Sequence, residues 1–500
     1  MELKQYLAKY FPFPDFRPGQ HETIDAVIEK NHTISMLPTG TGKSLCYQLP
    51  GYILEGAVLV VSPLLSLMQD QVEQIMAMGE KRVIALNSFL SPQQKAFALL
   101  NLENYKYIFL SPEMLGMESV QDRLKRLSVA LFVVDEAHCI SQWGYDFRPD
   151  YLKLGEFRKK LGKPLTLALT ATATEEVRKD IAEKLYLEEW KEVVYSVDRP
   201  AISLALERVA SFREKLERTH ELVNFFKGPG IIYFSSKKVA EQAASQLREK
   251  GTKKAMAYHG GLDSESRVLI QQQFINGQLD VVCATSAFGM GINKDNVRYV
   301  IHFHMPMQLE SYLQEIGRAA RDGLDSIAIL LYSPGDEQLA YQLAEAELPD
   351  QYQVERLFGV LMEQQIPYDG LSQRAEELSM VCGFTEIQWR IIMEYLSNLE
   401  SQNYLADSET LMQLVENRIA VKKQQIRTML DWIQTPGCKR EFILESFNEE
   451  LANKPANCCS SCGINREHYK ETKSSIEQEE TVMDWKHDLA SILLISERIE

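Results

Sequence analysis

The chain has no uninterrupted apolar run of the roughly 18 or more residues needed to cross a bilayer. Its first residues, Met1-Glu2-Leu3-Lys4-Gln5-Tyr6, include an acid and no long apolar stretch, so they do not read as a signal peptide. Cysteine is sparse, at 8 in 500 residues. These features exclude a disulfide-stapled scaffold and predict a cytoplasmic chain, without a membrane partner, whose thiols stay reduced. No low-complexity tract is present, nor any repeat at the period of a solenoid, roughly 20–50 residues. Basic residues are not in excess either. Lys+Arg number 54 against 70 Asp+Glu, a net charge of −16. That balance weighs against nucleic-acid binding, but whole-chain charge bounds only long-range steering. A basic channel can lie within an acidic protein.

What is present is ordinary globular material, 45% hydrophobic and 25% charged. At about 100–200 residues per domain, three or four domains are expected. Short β-branched or apolar runs alternate with helical stretches: His32–Met36, Ala57–Val61, Tyr107–Leu110, Leu131–Val134 and Leu165–Leu169. They are too apolar for half-exposed hairpins and predict βαβ units around a buried parallel sheet. The rhythm breaks near Asp198-Arg199-Pro200 and resumes with Ile231–Phe234, Val281–Ala284, Tyr299–Phe303 and Ile327–Leu331. Boundaries are therefore expected near 200 and 340. Beyond 340 helical signals dominate. Leu371–Leu405 reads as two helices about a turn at Cys382-Gly383-Phe384, with Ile387, Ile391, Tyr395, Leu396 and Leu399 at helical spacing. A helix-turn-helix, winged or unwinged, and an ordinary helical subdomain both answer to this pattern. A helical unit at 341–425, a cysteine-bearing module at 426–466 and an acidic, then helical tail at 467–500 complete the expected organisation.

Pro38-Thr39-Gly40-Thr41-Gly42-Lys43-Ser44 lies between a strand and a helix. Glycines there let backbone N–H groups wrap phosphate oxygens, with Lys43 reaching the β/γ-phosphates and Ser44 ligating Mg²⁺. Leu37 stands where the generic pattern has glycine, so the loop is a variant. Asp135-Glu136-Ala137-His138 follows an apolar strand, where α/β sheets place catalytic groups. Asp135 can hold Mg²⁺, and Glu136 can orient and deprotonate water. In Gln314-Glu315-Ile316-Gly317-Arg318-Ala319-Ala320-Arg321, two arginines three apart are expected on one helix face. They fall in a second lobe without a phosphate loop, so closure would bring Arg318 and Arg321 onto phosphates held by the first.

Together these parts resemble a superfamily 2 helicase, and specifically the RecQ family of DNA helicases, almost continuously over residues 1–335. The resemblance implies two RecA-like α/β lobes. It places Gln20 of Phe16-Arg17-Pro18-Gly19-Gln20 on the adenine and adds Arg17 and Gln314 to the nucleotide site. Val61-Ser62-Pro63-Leu64 and Leu110-Ser111-Pro112-Glu113 look like loops that touch the DNA backbone through Ser62, Pro63 and Ser111. Ala168–Thr174 resembles the segment linking ATP state to lobe movement, and Thr285–Lys294 is close to a second-lobe motif that puts Thr285 on DNA. The segment Cys139–Tyr151 looks like the family's aromatic-rich loop. Its Trp143, Phe147 and Arg148 can stack on bases and hold a phosphate.

Cys438, Cys458, Cys459 and Cys462 offer four soft ligands, enough to close a tetrahedral zinc site. Asn465 stands where a further Cys-x-x-Cys partner would be, so Cys458 serves if the site has four thiolates. Adjacent ligands are less usual, but the RecQ zinc module tolerates them. There are three departures from the family. Ala320 replaces the usual glycine of the arginine motif and, on a helix, is expected to do little harm. The stretch between 340 and Cys438 is longer than in the familiar layout. With only 38 residues after Cys462, the usual winged-helix and helical C-terminal domains are not expected. The expected function is ATP-dependent DNA unwinding on single-stranded and forked or partly duplex DNA, with ATP, Mg²⁺ and Zn²⁺. Family resemblance alone implies 3′→5′ travel and a role in recombination or repair. A DEAH-type RNA helicase and an ATP-driven remodeller that unwinds nothing are the rivals.

Overall fold

A computed structural model describes residues 2–470 except 64, 88–89, 142–148, 252, 289–293, 398 and 400–401. Two parallel sheets organise the first two thirds. The first comprises β1 (Thr33–Met36), β2 (Ala57–Val61), β3 (Val83–Leu86), β4 (Tyr107–Leu110), β5 (Val129–Val134), β6 (Thr166–Thr170) and β7 (Lys191–Val194), in the order β3-β4-β2-β5-β6-β1-β7. The second comprises β8 (Ile202–Arg208), β9 (Gly230–Tyr233), β10 (Ala255–Tyr258), β11 (Val281–Ala284), β12 (Tyr299–His302) and β13 (Ser326–Tyr332), in the order β10-β11-β9-β12-β13-β8. Apart from the half-buried start of β5, the inner strands are buried along their whole length, because helices cover both faces of a parallel sheet. The edge strand β7 instead carries Lys191 and Glu192, which keep an open edge from pairing with another chain.

The strand order positions the chemistry. β5, β6 and β1 are neighbours, so the loop after Met36 and the acidic pair after Val134 open on the same carboxyl edge, with Thr170 between them. One apolar core continues from this lobe into the second, joining residues such as Phe132 and Ala168 to Ile231 and Val300.

After β13 the described residues to 470 hold helices and no strand, so the expected pair of helices has no β-wing among them. Ala375–Cys382 and Glu386–Ser397 are its helices, and Gly383 at φ +72° makes the left-handed turn that ends the first. Leu396 is buried as its spacing predicts, but Ile387 is exposed and Ile392 takes its place in the core. The helix Tyr404–Gln434 runs unbroken through residue 425. Its first half packs in the helical unit through Leu411 and Val415, and its end joins the main core through Ile426, Met429 and Trp432. Among the described residues no helix is long and apolar enough to cross a membrane.

Candidate nucleotide cleft and metal centre

The phosphate-loop segment leaves β1 and turns into the helix Leu45–Ile53, so Lys43 and Ser44 lie in the turn before the first helical residue. Gly40 and Gly42 take left-handed φ values of +87° and +75°, which a side chain would resist. The N–H groups of Gly40, Gly42, Lys43 and Ser44 have no partner among the described residues. Carbonyls of the loop face the other way. Gln20 donates to Thr41 O (2.7 Å) and Gly42 O (2.9 Å), Arg17 donates to Gly40 O, and the Arg17 N–H donates to Gln20 Oε1. A row of unused donors on a loop whose carbonyls are tied back is an anion nest.

Asp135 follows β5, and its carboxylate accepts from the Glu136 N–H at 3.0 Å. Burial pushes the Asp135 carboxyl up to about 7, with the Glu136 charge adding and Lys43 opposing. Glu136 itself is held at φ +49°, an uncommon conformation for a residue with a side chain and one found at functional sites. Its Oε2 lies 3.4 Å from His138 Nδ1, which in turn is 3.0 Å from Thr170 Oγ1. The acidic pair is thus joined to the end of β6, the segment the family resemblance ties to lobe movement.

The arginine segment corrects the sequence reading. Its helix, Leu309–Ile316, stops before Arg318, and Arg318 and Arg321 lie in the turns beyond rather than on one helix face. Gly317 ends the helix, and at Ala320 the chain swings to φ +56°. Ala320 is therefore not a better helix former in place of glycine. It occupies a left-handed position where glycine is the unstrained residue. The turn carries Arg321 to the phosphate loop, and a β-carbon on Gly40 would be 2.9 Å from Arg321 Cγ. Burial, then Arg318 and Arg199, push the Arg321 guanidinium down to about 10. Arg17 and Arg321, with Arg318 beside Arg321, therefore stand at or near one loop that also bears Lys43, a concentration of positive charge that suits a multiply charged anion. Gln314 is buried in the helix before them.

The residues expected on DNA are placed unevenly. Ser62 and Ser111 are 2% and 5% exposed, so their loops offer backbone and the half-buried Pro63 more than hydroxyls. Thr285 is half-buried after β11. Trp143, Phe147 and Arg148 lie outside the described residues.

The four cysteines converge. Their Sγ atoms lie within 4.8 Å of one another, with Cys438–Cys458 at 3.6 Å, Cys438–Cys459 at 3.8 Å and Cys459–Cys462 at 3.5 Å. A tetrahedron with Zn–S near 2.3 Å has edges of roughly 3.8 Å, so the set fits a structural zinc. Burial raises the Cys459 thiol, but the Lys439 N–H at 3.4 Å and its neighbours outweigh it and hold the group down to about 7. The module lies along β8. Leu204 N donates to Cys458 O (3.2 Å) and Ser460 N donates to Leu204 O (2.9 Å), extending the outer edge of the second sheet.

Sequence reading missed the residues that join these parts. Arg199 and Arg440 gave only a weak signal, two arginines in segments noted for other reasons.

Family models match three stretches: DEAD/DEAH box helicase at 17–181, helicase conserved C-terminal domain at 214–323, and RecQ zinc-binding at 398–464. The probable ATP-dependent DNA helicase RecS of Bacillus subtilis is 44% identical over 94% of this chain and 94% of its own length. The chain belongs to the RecQ family. The ATP-dependent DNA helicase RecQ of Synechocystis is 34% identical over 93% of this chain and 98% of its own length. RecQ of Pasteurella multocida matches at 41% over 69% of this chain, which spans 55% of that relative. Among solved structures, the Mycobacterium smegmatis helicase Lhr bound to ssDNA and AMP-PNP superposes with TM-score 0.56 at 21% identity, over 81% of this chain and 58% of that one. That likeness concerns the fold of this RecQ-family chain alone.

Proposed function

We propose that the chain is an ATP-dependent DNA helicase that couples hydrolysis to movement along single-stranded DNA and to the opening of forked or partly duplex DNA. The observation that carries this reading is the meeting of Arg321 with Gly40. A charge-neutralising group of one lobe stands at the phosphate loop of the other, so hydrolysis and lobe movement are a single event. The unused amides of Gly40, Gly42, Lys43 and Ser44 and the Lys43 ammonium take the phosphates, and Arg17, Gln20 and Gln314 complete the site. Ser44 and Asp135 would hold Mg²⁺, which neutralises phosphate charge when bound. Glu136 orients and deprotonates the attacking water, and Arg318 and Arg321 meet the charge that develops on the γ-phosphate. His138 passes the state of Glu136 to Thr170. The single strand runs over the loops at Ser62, Pro63, Ser111 and Thr285, with Trp143, Phe147 and Arg148 stacking on bases. The four thiolates would hold a structural zinc, and the backbone bonds from Cys458 and Ser460 to Leu204 hold the module to β8. Travel is 3′→5′, and the work belongs to recombination or repair, on the strength of RecQ membership.

The test is strand separation on a DNA fork and a matched RNA duplex, with Lys43→Ala as control. ATP-dependent opening of the DNA fork, lost in the control, is expected. Preference for RNA, or hydrolysis without strand separation, would overturn the reading.

A further inference from the structure

The linker between the lobes carries a cation that the mechanism above leaves unused. The Arg199 guanidinium donates to Thr39 O in the phosphate loop, and on the other side to Gly317 O (3.2 Å), Ala319 O (3.0 Å) and Ala320 O (2.9 Å) in the arginine segment. Four backbone carbonyls from two lobes meet on one side chain that belongs to neither nucleotide motif. A planar guanidinium suits this task, because its fork of donors can bond two bodies at once. The site is unfavourable for its charge: burial, then Arg17, push the group down, with Asp198 opposing.

The main chain of the same linker is gripped from the cysteine module. Arg440, 2% exposed, donates to the Asp198 carboxylate, to Arg199 O (3.2 Å), to Ile202 O (2.5 Å) and to Cys458 O (3.4 Å). Its neighbour Lys439 donates its N–H to Cys459 Sγ. Trp432, whose indole N–H bonds Lys439 O at 2.9 Å, packs its ring 4.9 Å from Tyr312, on the helix that leads into the arginine segment. The linker is therefore held on one side by the module and itself holds both phosphate-facing loops on the other.

We propose that Arg199 is a positioning residue for ATP hydrolysis, one that sets the distance between phosphate loop and arginine segment, and that Arg440 anchors it to the cysteine module. The inference rests on the reading of the cleft as an ATPase. Arg199 is bonded to carbonyls on both sides, so its role is to align Arg318 and Arg321 rather than to bind nucleotide. Misalignment slows the chemical step and spares ground-state affinity.

The test compares turnover at saturating single-stranded DNA, affinity for a fluorescent ATP analogue, and zinc per chain, on the full chain and three variants. Arg199→Ala is expected to lower kcat about tenfold or more with analogue affinity within about threefold of wild type. Arg199→Lys keeps the charge but not the fork, and should lose about threefold or more in kcat. Arg440→Gln should lower kcat several-fold while zinc stays at the wild-type ratio. Should Arg199→Ala fail to fold, the lysine variant decides. A kcat for Arg199→Lys equal to wild type overturns the proposal, as does an analogue affinity that falls in step with kcat. A wild-type chain that hydrolyses no ATP overturns the cleft reading itself, a result distinct from an active wild type matched by its variants.

Discussion

Gly317 lies against Thr39 so closely that a β-carbon on it would stand 1.8 Å from the Thr39 hydroxyl. The first residue past a second-lobe helix is thus in contact with the phosphate loop of the first lobe, and nothing larger than hydrogen fits between them. Gly317→Ala should wedge the cleft open at this point. ATP turnover should drop by orders of magnitude, while zinc content and the melting of each lobe stay near wild type. Turnover close to wild type would show that the lobes do not need this contact.

Arg321→Ala removes the arginine whose side-chain stem lies against Gly40. Arginine fingers act on the transition state, with effects of about 10³–10⁵ in kcat in related phosphoryl transfers. The expected result is a large fall in hydrolysis with little change in ATP affinity, read from single-turnover rates and equilibrium binding. A loss confined to affinity would assign Arg321 to ground-state binding instead.

Ala320 at φ +56° bears strain that glycine would not. The left-handed conformation costs a non-glycine residue about 1–2 kcal/mol, partly offset by glycine's freer unfolded chain. Ala320→Gly should therefore raise stability by about 0.5–1 kcal/mol in urea unfolding of the second lobe. Destabilisation would mean that the alanine methyl, buried in the core, contributes more than the strain removes.

Glu394, on the helix Glu386–Ser397, lies 3.9 Å from Lys153 of the first lobe. Burial pushes its carboxyl up to about 7, against Lys153 and with Asp150 adding. A raised carboxyl is disfavoured as an anion in the folded state. Its contribution to stability is therefore most favourable below the unfolded value and is lost as pH climbs to about 7. Glu394→Gln should match wild type near pH 4.5 and exceed it at pH 8, by at most about 2 kcal/mol after allowance for solvent screening. Equal pH profiles of unfolding would refute the shift.

The cysteine set fits one zinc per chain by sulfur spacing. Metal analysis of reduced, purified protein should find that ratio, and Cys459→Ser should lower it together with soluble yield, since structural sites bind metal as part of folding. Metal-free protein that stays folded would contradict the site.

The parts legible in the sequence were those whose chemistry is local. A short β-branched or apolar run followed by glycines and Lys43, or by Asp135 and Glu136, fixes both the element and the group at its end. The cysteines were legible because four thiols close together have few other uses in such a chain. The geometry around Arg318 and Arg321 was not legible, because their spacing also suits a helix and only the packing of Gly317 on Thr39 ends it. Arg199 and Arg440 escaped for a related reason: apart from the Asp198 carboxylate on Arg440, their hydrogen-bond partners are backbone carbonyls, and carbonyls have no sequence.

The cysteine module along β8 has a consequence for the fate of the molecule. β8 is the outermost of six parallel strands, and its free side would present a row of N–H and C=O groups to any passing chain. Cys458, Cys459 and Ser460 occupy part of that side. Stripping the metal would loosen this cover and expose a seven-residue template for intermolecular pairing. Oxidised or metal-starved protein would then be lost to aggregation as well as to inactivity, with the thiolates guarding the chain's colloidal life as much as its motor.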